Sequence, residues 1–295
     1  MIHLYLKYVN REFFMNRKIV ADSSVNLYTS ALPNFTAVPL KVITSEKEYI
    51  DDERLNIDVM QSEMETYKGK SSTACPAVSE WMDAFGDADE VFAVSLTSSL
   101  SGGYNAACIA AADYMCEHPG RRVFVFDSLS TGPEIELIVE QTARFIAKEK
   151  SFEDICEKIR AYAEHTHLLF SLESLSNFAK NGRVSAVEAK AVGLLGIRIV
   201  GRGSVDGKLE LLHKCRGGKK AVAKIFEEML ANGFNGGRVR IRHTLNPDGA
   251  AQLERLISEA FPACDVKVDI NHGLCSYYAQ HGGMLIGYED SAAKN

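Results

Sequence analysis

The sequence predicts an α/β protein of two domains: an N-terminal open, mostly parallel sheet with helices on both faces, then a C-terminal α+β domain. Three observations predict it. The first half alternates short β-rich runs with helical patterns, as chains of βαβ units do. From Leu168 onward, hairpin signals such as Asp206-Gly207 join strands and helices instead. The 295 residues exceed one ordinary domain and suit two. The boundary falls between residues 166 and 167, with residues 1–16 as an extension ahead of the first domain.

Arg17 to Ala21 is a short apolar run of the buried-strand type, closed by the turn and N-cap chemistry of Asp22-Ser23-Ser24. Val38 to Ile43 reads as a second strand. Asp51 to Tyr67 reads as a helix with Leu55, Val59 and Met64 on its apolar side, stopped by Lys68-Gly69-Lys70. Ser72-Thr73-Ala74-Cys75-Pro76 reads as a turn before a helix from Val78 to Phe85. Glu90 to Leu96 is the most evident strand; it runs through Thr97-Ser98-Ser99-Leu100-Ser101-Gly102-Gly103 into an Ala-rich helix, Tyr104 to Cys116. A strand from Arg122 to Phe126 ends at Asp127-Ser128, and helices follow at Glu134–Lys148 and Phe152–His165.

In the second half Leu168 to Leu172 is a strand, and Ser174 to Lys180 a short helix closed by Asn181-Gly182. Val187 to Leu195 reads as a packed helix. Ile197–Val200 and Lys208–Leu212 read as strands about the Asp206-Gly207 turn. An amphipathic helix, Lys219 to Asn232, ends at Gly233. Arg238–His243, Val266–Ile270 and Met284–Tyr288 read as strands, with a helix over Gly249–Ala260.

Composition excludes several function classes. Basic residues number 33 against 39 acidic, a formal charge of −6, so whole-protein attraction to nucleic acid or an anionic membrane is not expected. The 7 cysteines are dispersed without a CxxC pair, against a disulfide framework or a zinc site and in keeping with a reducing cytoplasm. No signal-peptide core interrupts the charges of the first residues, and no run approaches the roughly 20 apolar residues of a membrane span. His165 and His167 are a close pair without a third ligand in sequence, so they read as surface histidines and no metal is expected. No GxxxxGK[ST] occurs, and Gly201-Arg202-Gly203 leads into a strand rather than a helix, which reads as a hairpin connection without a nucleotide or other cofactor.

What remains is an edge rich in hydroxyls. Three strands end in a Ser-bearing turn, at Asp22-Ser23, Ser98 to Ser101 and Asp127-Ser128, and in an open parallel sheet such turns share the carboxyl edge where ligands bind. The turn from Ser98 to Gly103 offers free N–H groups, hydroxyls and a helix N-terminus to an anion, though the same serines equally serve as helix caps. Ser101 as a nucleophile is the enzymatic version, with His281, His243 or His272 as base, but the chain lacks a GxSxG elbow. Basic residues at Arg183, Lys214, Arg216, Lys219 and Lys220 read as a solvated helix start, or as a hold on a phosphate or an acidic partner.

In their order these motifs resemble the DegV family of fatty-acid-binding proteins, from about Ile19 to Tyr288. Val20-Ala21-Asp22-Ser23-Ser24 resembles the opening VTDSS, and Val38-Pro39-Leu40 with Tyr49-Ile50-Asp51 the VPL…Y.D segment. Ser72 to Pro76 is similar to TTSQP, and Ser98 to Gly103 to SS.LSGT. Asp127-Ser128, Asn181 to Ser185, Lys214-Cys215-Arg216 and His281-Gly282-Gly283 fall on DS, GGRIS, K.R and H.GPG. Here Ala74-Cys75 replaces Ser-Gln, and Gly103 replaces the Thr of LSGT.

The resemblance implies a carrier, not an enzyme, that buries one long-chain fatty acid between its domains and uses no cofactor. It implies that Thr73 and Ser101 hydrogen-bond the carboxylate with His281 nearby, and that Ala74, Ser98, Ser99 and Gly102 are further candidate contacts. It also implies a separate fatty acid kinase as partner, making an acyl phosphate of the bound acid, with Arg183 and Arg216 suited to the phosphate or the kinase. The competing expectation is a serine hydrolase or acyltransferase using Ser101 and His281.

Overall fold

The computed structural model describes residues 15–185 and 196–293. The helix expected over Val187–Leu195 and most of the N-terminal extension lie outside them. The first sheet has the order β2-β1-β6-β7, all parallel, from Phe35–Val38, Arg17–Asp22, Glu90–Ser95 and Arg122–Asp127. Its central strands are continuous apolar runs because both faces are covered. Ile19, Ala21, Phe92 and Val94 face the helices Pro133–Ala147 and Phe152–Ala163, while Val20, Val91 and Ala93 face Trp81, Phe85 and the helix Gly103–Glu117.

Three local expectations are corrected. The run from Val38 to Ile43 is two strands, not one. Pro39 lacks an N–H, so pairing stops there, and β3 (Lys41–Thr44) turns off into a small antiparallel sheet with β4 (Glu48–Ile50) and β5 (Ser71–Ala74). Residues Ser72 to Ala74, expected as a turn, thus belong to a strand. The helix expected from Asp51 begins at Ile57, where the Asn56 side chain accepts from Val59 N at 3.0 Å. Asp51 is used elsewhere.

The second sheet has the order β10-β9-β8-β13-β11-β12, from Leu209–Arg216, Ile197–Gly203, Thr166–Leu172, Met284–Glu289, Val239–His243 and Val266–Ile270. Only β11 and β12 pair parallel; the rest is antiparallel. One face, with Val200, Ile241 and Ile286, is buried under the helices Gly218–Ala231 and Pro247–Ala260. The other turns toward the first half, and its chemistry divides. Over β8–β10 and β13 it is apolar, with Leu168, Phe170, Leu172, Leu209 and Leu285. Over β11 it carries arginines.

Those arginines meet the helix Pro133–Ala147, which lies between the two sheets. Its residues Ile135, Ile138 and Val139 enter the first core. Glu136 and Glu140, one turn apart, face β11. Arg242 holds Glu136 in a bidentate pair at 2.9 and 2.9 Å, and Arg240 Nη2 reaches Glu140 at 2.6 Å. Arg238 donates to Glu289 at 2.9 Å and to Tyr162 Oη at 2.8 Å. All three arginines are buried, Arg240 at 1% exposure. Gly287 on β13 lets the helix come this close, since a Cβ there would stand 2.4 Å from the carbonyl carbon of Pro133.

Candidate functional site

The carboxyl ends of β1 and β6 meet at buried Asp22, which accepts from Leu96 N at 2.7 Å, Ser95 Oγ at 3.0 Å and Ser24 Oγ at 2.5 Å. The first Ser-bearing turn is therefore structural. Ser23 Oγ donates to Asp51 at 2.8 Å, and Asp51 accepts from Gly273 N at 2.7 Å and Leu274 N at 3.0 Å. The carboxylate of Asp51, expected to open a nearby helix, instead caps the helix Gly273–Ala279 in the second half. Burial pushes its pKa up to about 6 against those hydrogen bonds. β5 holds the same helix from the side: Ser71 Oγ pairs with Tyr277 Oη at 2.7 Å, and Thr73 Oγ1 with Tyr278 Oη at 2.8 Å.

These contacts enclose a cavity of about 300 Å³ between the halves. Its lining is apolar along Leu168, Phe170, Leu172, Leu209 and Leu285 on one side and Leu40, Leu96 and Leu274 on the other. Thr73, Ser101, Tyr278 and Arg183 bring polar groups to it, beside Ala74, Cys75 and Gly102. Ser101 Oγ accepts from Gly103 N at 3.1 Å, capping the helix Gly103–Glu117, and keeps a proton to donate. The cap and the ligand-facing hydroxyl are one group. The Thr73 and Tyr278 hydroxyls hold two protons between them and use one on each other, so one is left to donate. Arg183 is half-buried and fixed by Leu100 O at 3.3 Å and Asn181 O at 2.6 Å.

Other expected residues stand elsewhere. Ser99 Oγ donates to Asp206 O at 2.5 Å and Thr97 Oγ1 to Gly207 O at 2.8 Å, so these hydroxyls hold the tip of the β9–β10 hairpin over the cavity. Ser98 is exposed, its N–H on Asp127 at 3.1 Å. Arg216, at the end of β10, and His281 are exposed and outside the lining. No histidine among the described residues lines the cavity, and His281, the base expected for Ser101, stands outside it. His272 stacks on Tyr28 at 4.0 Å, and burial lowers its pKa to about 4; burial lowers that of His243 too. His165 and His167 share the carboxylate of Asp290 at 3.3 and 3.1 Å, and no group among the described residues is arranged to hold a metal.

Tyr278, Thr97 and Phe178 were not singled out from the sequence. Phe178 packs against Tyr278 with ring centroids 4.6 Å apart and the planes tilted by 33°, and the pair closes the polar side of the cavity. The aromatic pair Tyr277-Tyr278 on a short helix was the available signal.

The model of DegV, described as an uncharacterised protein family, matches residues 16–284. A DegV domain-containing protein of Streptococcus pneumoniae R6 is 40% identical over 279 residues, covering 93% of this chain and 99% of that one. Among solved structures, a DegV family protein from Eubacterium eligens loaded with heptadecanoic acid superposes with a TM-score of 0.90 at 43% identity, over 93% of this chain and 100% of that one. The Streptococcus pneumoniae fatty acid kinase B3 protein loaded with linoleic acid gives 0.91 at 40%, over 93% and 99%.

Proposed function

This chain belongs to the DegV family, and from that premise we propose that it is a carrier burying one long-chain fatty acid between its halves. The observation that carries the reading is the cavity: a slot of about 300 Å³, apolar over most of its wall, with unspent hydroxyl protons and a guanidinium at Thr73, Ser101 and Arg183. A fatty acid has that polarity. Burying about 14 methylenes contributes roughly 11 kcal/mol before ordering costs, so the tail supplies affinity and the head sets orientation. Relatives carrying heptadecanoic and linoleic acid support the same ligand class.

In this reading Ser101 and the Thr73–Tyr278 pair donate to the carboxylate, and Arg183 supplies the opposite charge. Ala74 and Gly102 line the head and bring no side-chain donor. Ser98, Ser99 and His281, outside the lining, take no part. We read the chain as the carrier and not as the catalyst, because relatives of this fold are described by the fatty acid they hold. A separate kinase phosphorylates the bound acid, as the naming of the pneumococcal relative suggests, with Arg183 at the acyl phosphate and exposed Arg216 toward the partner. A cytoplasmic setting fits seven cysteines that form no disulfide among the described residues.

Native mass spectrometry of freshly purified protein tests the carrier reading. The expected result is one equivalent of fatty acid, and Ser101→Ala with Thr73→Val is expected to weaken retention by about tenfold or more, since each hydrogen bond to a charged group contributes roughly 1.5–3 kcal/mol. Apo protein that also refuses added fatty acid would overturn the reading.

A further inference from the structure

We infer that the acyl chain length this protein accepts is set on β8 and β9, by Phe170 lying across Gly201 and by the uncovered backbone of Gly203. The inference rests on the carrier reading and says which residues give that carrier its selectivity. With Thr73, Ser101 and Arg183 fixing the head, the rest of the chain runs along the apolar inner face of the second sheet. There β8 and β9 pair antiparallel with Phe170 directly opposite Gly201.

The phenyl ring does not stand up from the sheet. A Cβ on Gly201 would lie 2.3 Å from Phe170 Cζ and 2.5 Å from its Cε2, so the ring tip occupies the space a side chain at 201 would fill. Laid flat in this way, Phe170 forms part of the slot floor rather than an obstruction across it, and both partners are needed for that. Gly203 is two residues along the same strand and faces the same way. It differs in one respect: a Cβ there would meet Leu168 at 3.7 and 3.9 Å, which is ordinary contact. Nothing in the packing or in its backbone requires glycine at 203. What its missing side chain provides is slot volume, since Gly203 itself lines the cavity opposite Leu209.

Two substitutions then move selectivity in opposite directions. Gly203→Val fills slot and disfavours long chains. Phe170→Leu lowers the floor and favours them. Each methylene admitted or excluded changes affinity by roughly fourfold, the equivalent of about 0.8 kcal/mol. In competition between C14 and C18 saturated fatty acids on delipidated protein, Gly203→Val is expected to cut the C18-over-C14 ratio at least tenfold and Phe170→Leu to raise it severalfold. Leu209→Phe, filling the same space from the facing strand, is expected to act like Gly203→Val and replaces it should that variant not fold. Variants that bind one fatty acid with the wild-type ratio would overturn this inference and leave the carrier reading standing. A wild type that binds neither acid would overturn both.

Discussion

Replacing Arg242 by methionine is expected to destabilise the protein by roughly 3–5 kcal/mol, read as a shift of the urea midpoint, because it strands a buried charge. Arg242 and Glu136 have side-chain exposures of 7% and 3%, and burial raises the Glu136 carboxyl even with the guanidinium beside it. Once Arg242 is gone, the nearest cation to Glu136 is Arg240, whose Nε is 3.9 Å away and whose better geometry is spent on Glu140. The outer contact of Arg242, to Asp269 at 3.0 Å, counts for little because that carboxylate is 63% exposed. A paired replacement separates charge stranding from lost packing. Arg242→Met with Glu136→Leu removes both charges, and most of the lost stability is expected to return. A double variant as unstable as the single one would show that packing, not the unpaired carboxylate, is what Arg242 provides.

The second large effect is a dependence on pH. Glu134 is buried with no cation beside it among the described residues; it accepts from Thr166 Oγ1 at 2.9 Å and from Ser130 Oγ, a cavity-lining residue. Burial raises its pKa from an ordinary 4.5 to about 7. The folded protein thus holds a proton that the unfolded chain gives up. The stability linked to this group is full below about pH 4.5, falls as pH rises, and is lost above about 7. The loss amounts to roughly 3 kcal/mol at 1.36 kcal/mol per pKa unit. Glu134→Gln keeps a neutral group of the same shape, so its urea midpoint is expected to fall much less than that of the wild type between pH 5 and pH 8. Of the slope that remains, Asp51, whose pKa of about 6 has the same sign, supplies part, while His272, held near 4 by burial, acts in the opposite sense below about pH 6.5. Equal slopes in delipidated wild type and variant would show that Glu134 ionises at its ordinary pH in the fold.

The parallel sheet was legible because its strands bury both faces, which writes unbroken runs such as Glu90 to Leu96 into the sequence. Ser101 stands in the turn after such a run, whereas Thr73 lies within β5, a strand that the sequence reads as a turn. What escaped depends on partners far away in the chain. Asp51 looks like any helix opener until residues 273 and 274 arrive to use its carboxylate. The alternation Arg238, Arg240, Arg242 resembles a strand with one wet face, and only the carboxylates one turn apart on the helix Pro133–Ala147, Glu136 and Glu140, say otherwise. Ser98 and Ser99 belong to the expected anion turn by sequence, but a hairpin more than 100 residues later directs Ser99 to a carbonyl instead of a ligand. Cys75, one of the chain's departures from the family pattern, lines the cavity where a longer amide would otherwise stand.

The strand Met284–Glu289 lies between β8 and β11, in the middle of the second sheet. Its position sets a timetable for synthesis. At about 5–20 residues per second, a ribosome that has finished the first sheet needs on the order of ten seconds more to deliver β13. Once made, β8 lacks one neighbour for its leucines until β13 arrives, β11 with Arg240 and Arg242 lacks its antiparallel partner, and the helix Gly273–Ala279 that walls the cavity emerges only just before that strand. The nascent chain therefore presents an open apolar half-slot to the cell before it presents a carrier. Its exposure to chaperones is greatest in the stretch from residue 170 to residue 284, and a lipid has no enclosed site to enter until the final strand zips the sheet shut.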